Sequence, residues 1–108
     1  TYEAASPVAV GDRPSPGAHL TLSAHPNPMR DGLTVEFTLP RDDAGSLALY
    51  DLTGRRVRTL IGGALSAGPH TMTWDGLAED GSRPSAGIFF LRLQTTDERI
   101  ERKVLMLR

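Results

Sequence analysis

An all-β fold, two antiparallel sheets packed face to face, is what this sequence predicts, and three observations carry the prediction. From residue 19 onward apolar side chains recur at every second position, the period of a strand with one buried face. No segment sustains the i, i+3, i+4, i+7 spacing of an amphipathic helix. Clusters of Gly, Pro, Asn and Asp interrupt the apolar alternation at short intervals, as turns between short strands require.

The elements follow in order. Residues 1–18 carry Pro7, Pro14 and Pro16 with Gly11 and Gly17 and almost nothing to fill a core, so they read as an extended linker from an upstream body. The folded domain is expected over residues 19–108. Leu20 and Leu22 open its first strand, and Pro26-Asn27-Pro28 ends it, because neither proline has an N–H to give a ladder. Leu33, Val35, Phe37 and Leu39 alternate with Thr34, Glu36 and Thr38, which predicts a half-buried strand closed by a loop over residues 40–45. Leu47 and Leu49 share the next inner face, with Ala48 and Tyr50 turned away.

Leu52-Thr53-Gly54-Arg55 reads as a tight turn, with Gly54 at positive φ and the Asp51 carboxylate accepting the turn's N–H groups. Val57 and Leu60 mark a short return strand that Gly62-Gly63 should end. After Gly68-Pro69, Met72 and Trp74 point inward, Trp74 as a core filler. Residues 75–87 form a long loop, then Phe89, Leu91 and Leu93 line another inner face, and a last strand spans about residues 99–107. Seven short strands are the count of an Ig-like antiparallel β-sandwich, with a small barrel as the competing closure.

Composition removes several functions. Twelve basic residues against thirteen acidic ones leave a net charge of -1, so no global field draws nucleic acid or anionic lipid. Without Cys there is neither a disulfide nor a thiolate metal site, and without a run of about 18 apolar residues no helical membrane span is expected. Thr1-Tyr2-Glu3 has neither the basic nor the apolar region of a signal peptide, and the missing Met at position 1 suggests a processed or excised piece of a larger protein.

Ser66 and Ser82 lie outside any Gly-x-Ser-x-Gly elbow, and His19, His25 and His70 are too scattered to share a metal from one element. Asp75, Glu79 and Asp80 bring three carboxylates where calcium takes six to eight oxygens. The expectation is therefore a protein that is not an enzyme, with no catalytic, cofactor-binding or metal residues and no cofactor.

Several marks stand in one order across residues 20–108: Pro26-Asn27-Pro28, then Tyr50-Asp51-Leu52-Thr53-Gly54-Arg55-Arg56-Val57, then Trp74-Asp75-Gly76, Asp80-Gly81 and Gly87-Ile88-Phe89-Phe90. The ensemble resembles the C-terminal sorting domain of type IX secretion cargo, and it is similar as well to the Ig-like domain of the flagellar hook-capping protein. One departure is Phe89, where that family commonly has an aromatic hydroxyl residue.

The resemblance implies a non-catalytic C-terminal module of a larger exported protein, recognised by outer-membrane secretion machinery after passage through the periplasm. Its destination is the medium or the cell surface. The closing residues Arg99, Arg102, Lys103, Val104, Leu105, Met106, Leu107 and Arg108 look like the basic and apolar strand that ends sorting domains, and so become the expected partner-recognition segment. Pro26, Asn27, Pro28, Asp51, Gly54, Trp74, Asp75, Gly76 and Gly87 are the expected structural marks.

Read from the residues alone, the closing strand has two uses. Its edge is open to strand addition with basic side chains steering the approach, or those charges guard the edge against aggregation. A different function class also stands: a structural accessory domain that packs on its parent enzyme or on neighbouring subunits of an extracellular assembly. A carbohydrate-binding module would instead need a flat exposed row drawn from Tyr2, Tyr50, Phe89 and Phe90.

Overall fold

Alternating apolar residues become strands when a second sheet covers their inner face, and the structure shows that pairing throughout. A computed structural model describes residues 20–107; the expected linker, residues 1–18, and Arg108 lie outside the described residues. Among the described residues there are seven strands: β1 (Thr21–His25), β2 (Leu33–Leu39), β3 (Asp43–Asp51), β4 (Arg56–Leu65), β5 (Gly68–Trp74), β6 (Gly87–Thr95) and β7 (Arg99–Met106). One sheet has the order β1-β2-β5 and the other β4-β3-β6-β7, with every neighbouring pair antiparallel. The all-β, Ig-like sandwich expected from the sequence is the fold found.

The core lies between the sheets. Val35, Phe37 and Leu39 of β2 and Trp74 of β5 meet Leu47 and Leu49 of β3, Leu91 and Leu93 of β6, and Val104 of β7, all buried. Each such aliphatic or aromatic side chain contributes about 1.5–3 kcal/mol by leaving water. Met72 is half-buried against this cluster. Met29, between β1 and β2, is wholly buried, although the alternation in the sequence gives no reason to expect it there.

Two element boundaries differ from expectation. Residues 43–45 belong to β3 and pair with residues 63–65 instead of forming a loop. Gly45 is a close-packing residue: a Cβ there would lie 2.9 Å from the Gln94 carbonyl oxygen and 3.1 Å from Leu65 Cδ1. β4 is ten residues long and runs through Gly62-Gly63, which pair with Ser46 and Gly45. Its register shifts twice, passing over Leu60 and Val57, so the period of two is broken and the strand looks shorter in sequence than it is. Pro69 is tolerated in β5 because β5 is an edge strand.

Candidate functional site

A sandwich with four edge strands has four rows of backbone groups to satisfy or protect. One of the sequence marks, Pro26-Asn27-Pro28, lies on such an edge, and the others hold turns and loops. Around Pro26-Asn27-Pro28 the His25–Pro26 and Asn27–Pro28 peptides are cis. Asn27 then imitates a strand: its Nδ2 donates to the Lys103 carbonyl at 2.9 Å and its Oδ1 accepts the Leu105 N–H at 2.9 Å. Met29 continues the seam with its backbone, donating to Leu105 O and accepting from Leu107 N, both at 2.8 Å, in a parallel bridge to β7. The C-terminal half of the β7 edge is thereby occupied from within the chain.

The β3–β4 turn is held by one carboxylate. Asp51 Oδ1 accepts from the Thr53 hydroxyl at 2.6 Å and from the backbone N–H groups of Thr53 and Arg55 at 3.0 Å. Gly54 takes φ 91° in that turn, a conformation that strains residues with a Cβ. Arg55 Nε lies 3.3 Å from Asp51 Oδ2.

The β5–β6 loop is anchored at Trp74-Asp75-Gly76. The Leu77 carbonyl accepts from Trp74 Nε1 at 2.9 Å and from Arg58 Nη1 at 3.0 Å. Asp75 Oδ1 accepts from Leu77 N and from Arg58. Gly76 turns at φ 84° against the Asp31 carbonyl, where a Cβ would sit 3.2 Å from the oxygen. Past it, Glu79 seals the start of the β4 edge, donating its N–H to Val57 O at 3.0 Å while its carboxylate accepts Thr59 N–H at 3.1 Å.

Three carboxyls in these devices titrate below the ordinary range: Asp43, Asp51 and Asp80. The leading cause in each is the hydroxyl hydrogen bond, from Thr96, Thr53 and Ser82 respectively. Desolvation opposes the shift, and backbone N–H donors add to it. A carboxyl with a depressed folded-state pKa contributes stability that is present above its unfolded pKa of about 4 and disappears as the pH falls through the folded value. Asp51→Asn should therefore lower the melting temperature at pH ~7, and the gap to wild type should narrow below pH ~4. Parallel melting curves across that range measure it; a gap constant with pH would remove the charge from the account.

The expected recognition segment is divided by the strand pleat. Val104 and Met106 are core residues. Arg102 reaches across to the first sheet, its Nε donating to Leu22 O at 3.0 Å and its Nη1 to Glu101 O at 3.0 Å. Arg99, Lys103 and Leu105 face outward, and Leu107 is half-buried. Arg99 and Lys103 have no side-chain ion pair among the described residues. Beside them Arg92 bonds Glu101 at 2.6 Å and lies 4.1 Å over the Tyr50 ring. Of the aromatic residues a sugar-binding row would need, Tyr50 is covered by Arg92, Phe89 is buried, Phe90 is half-buried opposite Tyr50, and Tyr2 lies outside the described residues.

Sequence reasoning missed a cleft at the end of the sandwich. It has a volume of about 620 Å³ and lies between the β3–β4 turn and the β5–β6 loop, with Leu52, Arg56, Val57, Pro84, Gly87 and Ile88 among its lining residues. The signal available was the exposed Leu52 in the turn, which no core requires. Among the described residues no group of three or more His, Asp or Glu is placed to hold a metal ion, and no helix is long and apolar enough to cross a membrane.

Residues 29–99 of this sandwich match the FlgD Ig-like domain model. The chain belongs to that family. Over 63 residues this FlgD Ig-like domain is 38% identical to the basal-body rod modification protein FlgD of Salmonella typhimurium, and equally to that of Salmonella typhi. The match covers 58% of the chain but only 27% of either relative, so the chain corresponds to about a quarter of their length.

The FlgD Ig-like fold is also seen in solved structures. Dimeric latent PorU from Porphyromonas gingivalis superposes with a TM-score of 0.65 at 20% identity, over 82% of this chain and 9% of PorU. PorZ of the same organism, described as an essential bacterial surface component of the type-IX secretion system, gives 0.57 at 19% identity over 81% of this chain and 11% of PorZ. FlgD from P. aeruginosa gives 0.57 at 19% identity over 90% and 76%. At these identities the likeness is one of fold.

Proposed function

We propose that this domain is a non-catalytic C-terminal module of a larger exported protein and acts as a type IX secretion sorting and surface-attachment signal. The observation that carries the reading is the construction of β7. Its C-terminal backbone edge is closed by Asn27 and Met29, yet Arg99 and Lys103 are exposed and have no ion-pair partner among the described residues. Over that C-terminal half the strand presents side chains, not backbone, to outer-membrane machinery. The fold shared with PorU and PorZ, the latter a surface component of that secretion system, supports the same reading.

The test is a fusion of the whole chain behind a signal peptide and a reporter in a host with the type IX system. Deleting residues 102–108 is a poor variant, because it removes the core residues Val104 and Met106. Reversing Arg99 and Lys103 to Glu avoids this, since exposed substitutions usually change stability by less than about 0.5 kcal/mol. Surface display of the reporter should fall by about tenfold or more with the double reversal, while melting is unchanged. Undiminished display would sink the recognition role of β7.

A second reading rests on the 38% identity with the rod modification protein FlgD: a structural module packing on its parent or on neighbouring subunits of an extracellular assembly. A stable contact burying more than about 1,000 Å² with another chain would favour it.

A further inference from the structure

The four-stranded sheet turns one ordered surface to solvent. Its register sets Tyr50, Phe90 and Lys103 side by side in one row across β3, β6 and β7, and Ala48, Arg92 and Glu101 in the next. Gln94 stands beside Arg99 on one side of these rows, and Ile88 beside Leu105 on the other. Ile88 and Leu105 are two of the three large hydrophobic residues exposed among the described residues, each at 38%, and as direct partners they make one apolar patch next to the half-buried Phe90.

The charge of this face is one-sided. Over β6 and β7 it carries Arg92, Arg99 and Lys103 against the single carboxylate Glu101, and β3 brings no charge to it. Glu101 is taken up by Arg92 at 2.6 Å, and Arg92 also covers Tyr50, so that pair is closed on itself. Arg99 and Lys103 are exposed, have no ion pair among the described residues, and have no carboxylate left on the face to balance them. The neighbouring acids belong elsewhere: Asp97 and Glu98 sit with Arg41 at one end of the sandwich, and Asp51, Glu79 and Asp80 line the cleft at the other with Arg55 and Arg56.

Side chains on one face of a strand recur about every 6.6 Å, so Arg99 and Lys103 stand about 13 Å apart, with Glu101 midway and Leu105 one step beyond Lys103. Asn27 and Met29 occupy the C-terminal half of the β7 edge, so a partner meets side chains there. The geometry points to this face as the docking surface for an extended segment of a partner protein whose side chains, read along its own inner face, run carboxylate, neutral, carboxylate, aliphatic. The two carboxylates meet Arg99 and Lys103, the neutral residue avoids Glu101, and the aliphatic side chain covers Leu105 and Ile88. This inference rests on the secretion reading and names the chemistry that Arg99 and Lys103 recognise.

The probe is acetyl-Glu-Ser-Thr-Ser-Glu-Ser-Leu-amide, titrated into the isotope-labelled full chain by NMR. One control replaces both Glu by Gln; another, acetyl-Glu-Ser-Glu-Ser-Thr-Ser-Leu-amide, keeps composition and charge but sets a carboxylate against Glu101. Saturating amide shifts should centre on residues 88–94 and 99–105. The probe should bind about threefold to tenfold more tightly than the Gln control, the range of two exposed ion pairs, and about threefold more tightly than the rearranged one. Lys103→Gln and added salt should each reduce the first preference, and Leu105→Ser should weaken all three peptides. Equal binding of the probe and either control overturns the proposal, as do shifts centred elsewhere or no saturation at about 5 mM peptide. Shifts of the same residues on raising protein concentration without peptide would place a second copy on the face and overturn it too. Loss of surface display on reversing Arg99 and Lys103, with no peptide binding, overturns this inference and leaves the secretion reading standing. Peptide binding with undiminished display supports the docking surface and removes its role in secretion.

Discussion

Trp74→Ala should destabilise the domain by about 3–5 kcal/mol, a large part of the ~5–15 kcal/mol that holds a domain of this kind together. Trp74 is almost fully buried, stands opposite Leu33 in the β2–β5 ladder, and fixes the β5–β6 loop through its bond to the Leu77 carbonyl. Truncation empties the volume of a side chain that buries about 150–250 Å² and releases the loop from its anchor at the same time. The melting temperature should fall by about 12 °C or more. Because this is the chain's single tryptophan, circular dichroism is the suitable readout. Trp74→Phe, which keeps most of the ring but loses the N–H, should cost substantially less. A loss below about 1 kcal/mol for the alanine variant would deny Trp74 its place at the centre of the core.

The second large effect is expected at the clamp on β7. Met29→Ala should cost about 2–5 kcal/mol, because a fully buried side chain is removed while the backbone bridge to Leu105 and Leu107 is left in place. Asn27→Ala should cost about 1–3 kcal/mol for its two hydrogen bonds and should speed amide exchange at Leu105 in particular. Asn27→Asp should be no better than Ala: it preserves the acceptor for Leu105 N–H but turns a carboxylate oxygen toward the Lys103 carbonyl. If the Leu105 amide exchanges as freely in wild type as in Asn27→Ala, the clamp does not form in solution.

Most of the strands were legible because period-two alternation is a local property: Leu33 to Leu39 and Phe89 to Leu93 carry their burial pattern in consecutive residues. The Asp51–Gly54 turn was legible for the same reason, its donors and acceptor lying within five residues. β4 was harder. Its two bulges break the alternation, and its glycines extend the strand only because β3 lies beside them. Residues 43–45 read as a loop until β4 and β6 flank them, where the missing Gly45 side chain becomes a requirement of close packing.

The candidate sites divide along the same line. That the closing strand is basic and apolar was plain in the sequence, but which charges are free was not. Arg102 is bonded to the Leu22 carbonyl, eighty residues away, while Lys103, its immediate neighbour and equally exposed, has no ion pair among the described residues. The order Pro-Asn-Pro was visible as an interruption, whereas its partner lies 76 residues on, at Lys103. The cleft at Leu52 and Ile88 joins two loops separated by about thirty residues, and no local pattern announces it.

From the sequence by itself came the all-β class, the seven strands, the family likeness and the inward places of Trp74 and the alternating leucines, since each depends on neighbours a few residues apart and on the water-driven burial of one face. Tertiary structure alone decided that Asn27 closes the C-terminal half of the terminal strand's edge, that Arg102 is hydrogen-bonded to Leu22 while Arg99 and Lys103 have no ion pair among the described residues, and that an apolar cleft opens beside Arg56. Those facts arise where distant segments satisfy or leave unsatisfied each other's hydrogen bonds and charges, and such pairings exist only once the two sheets have met.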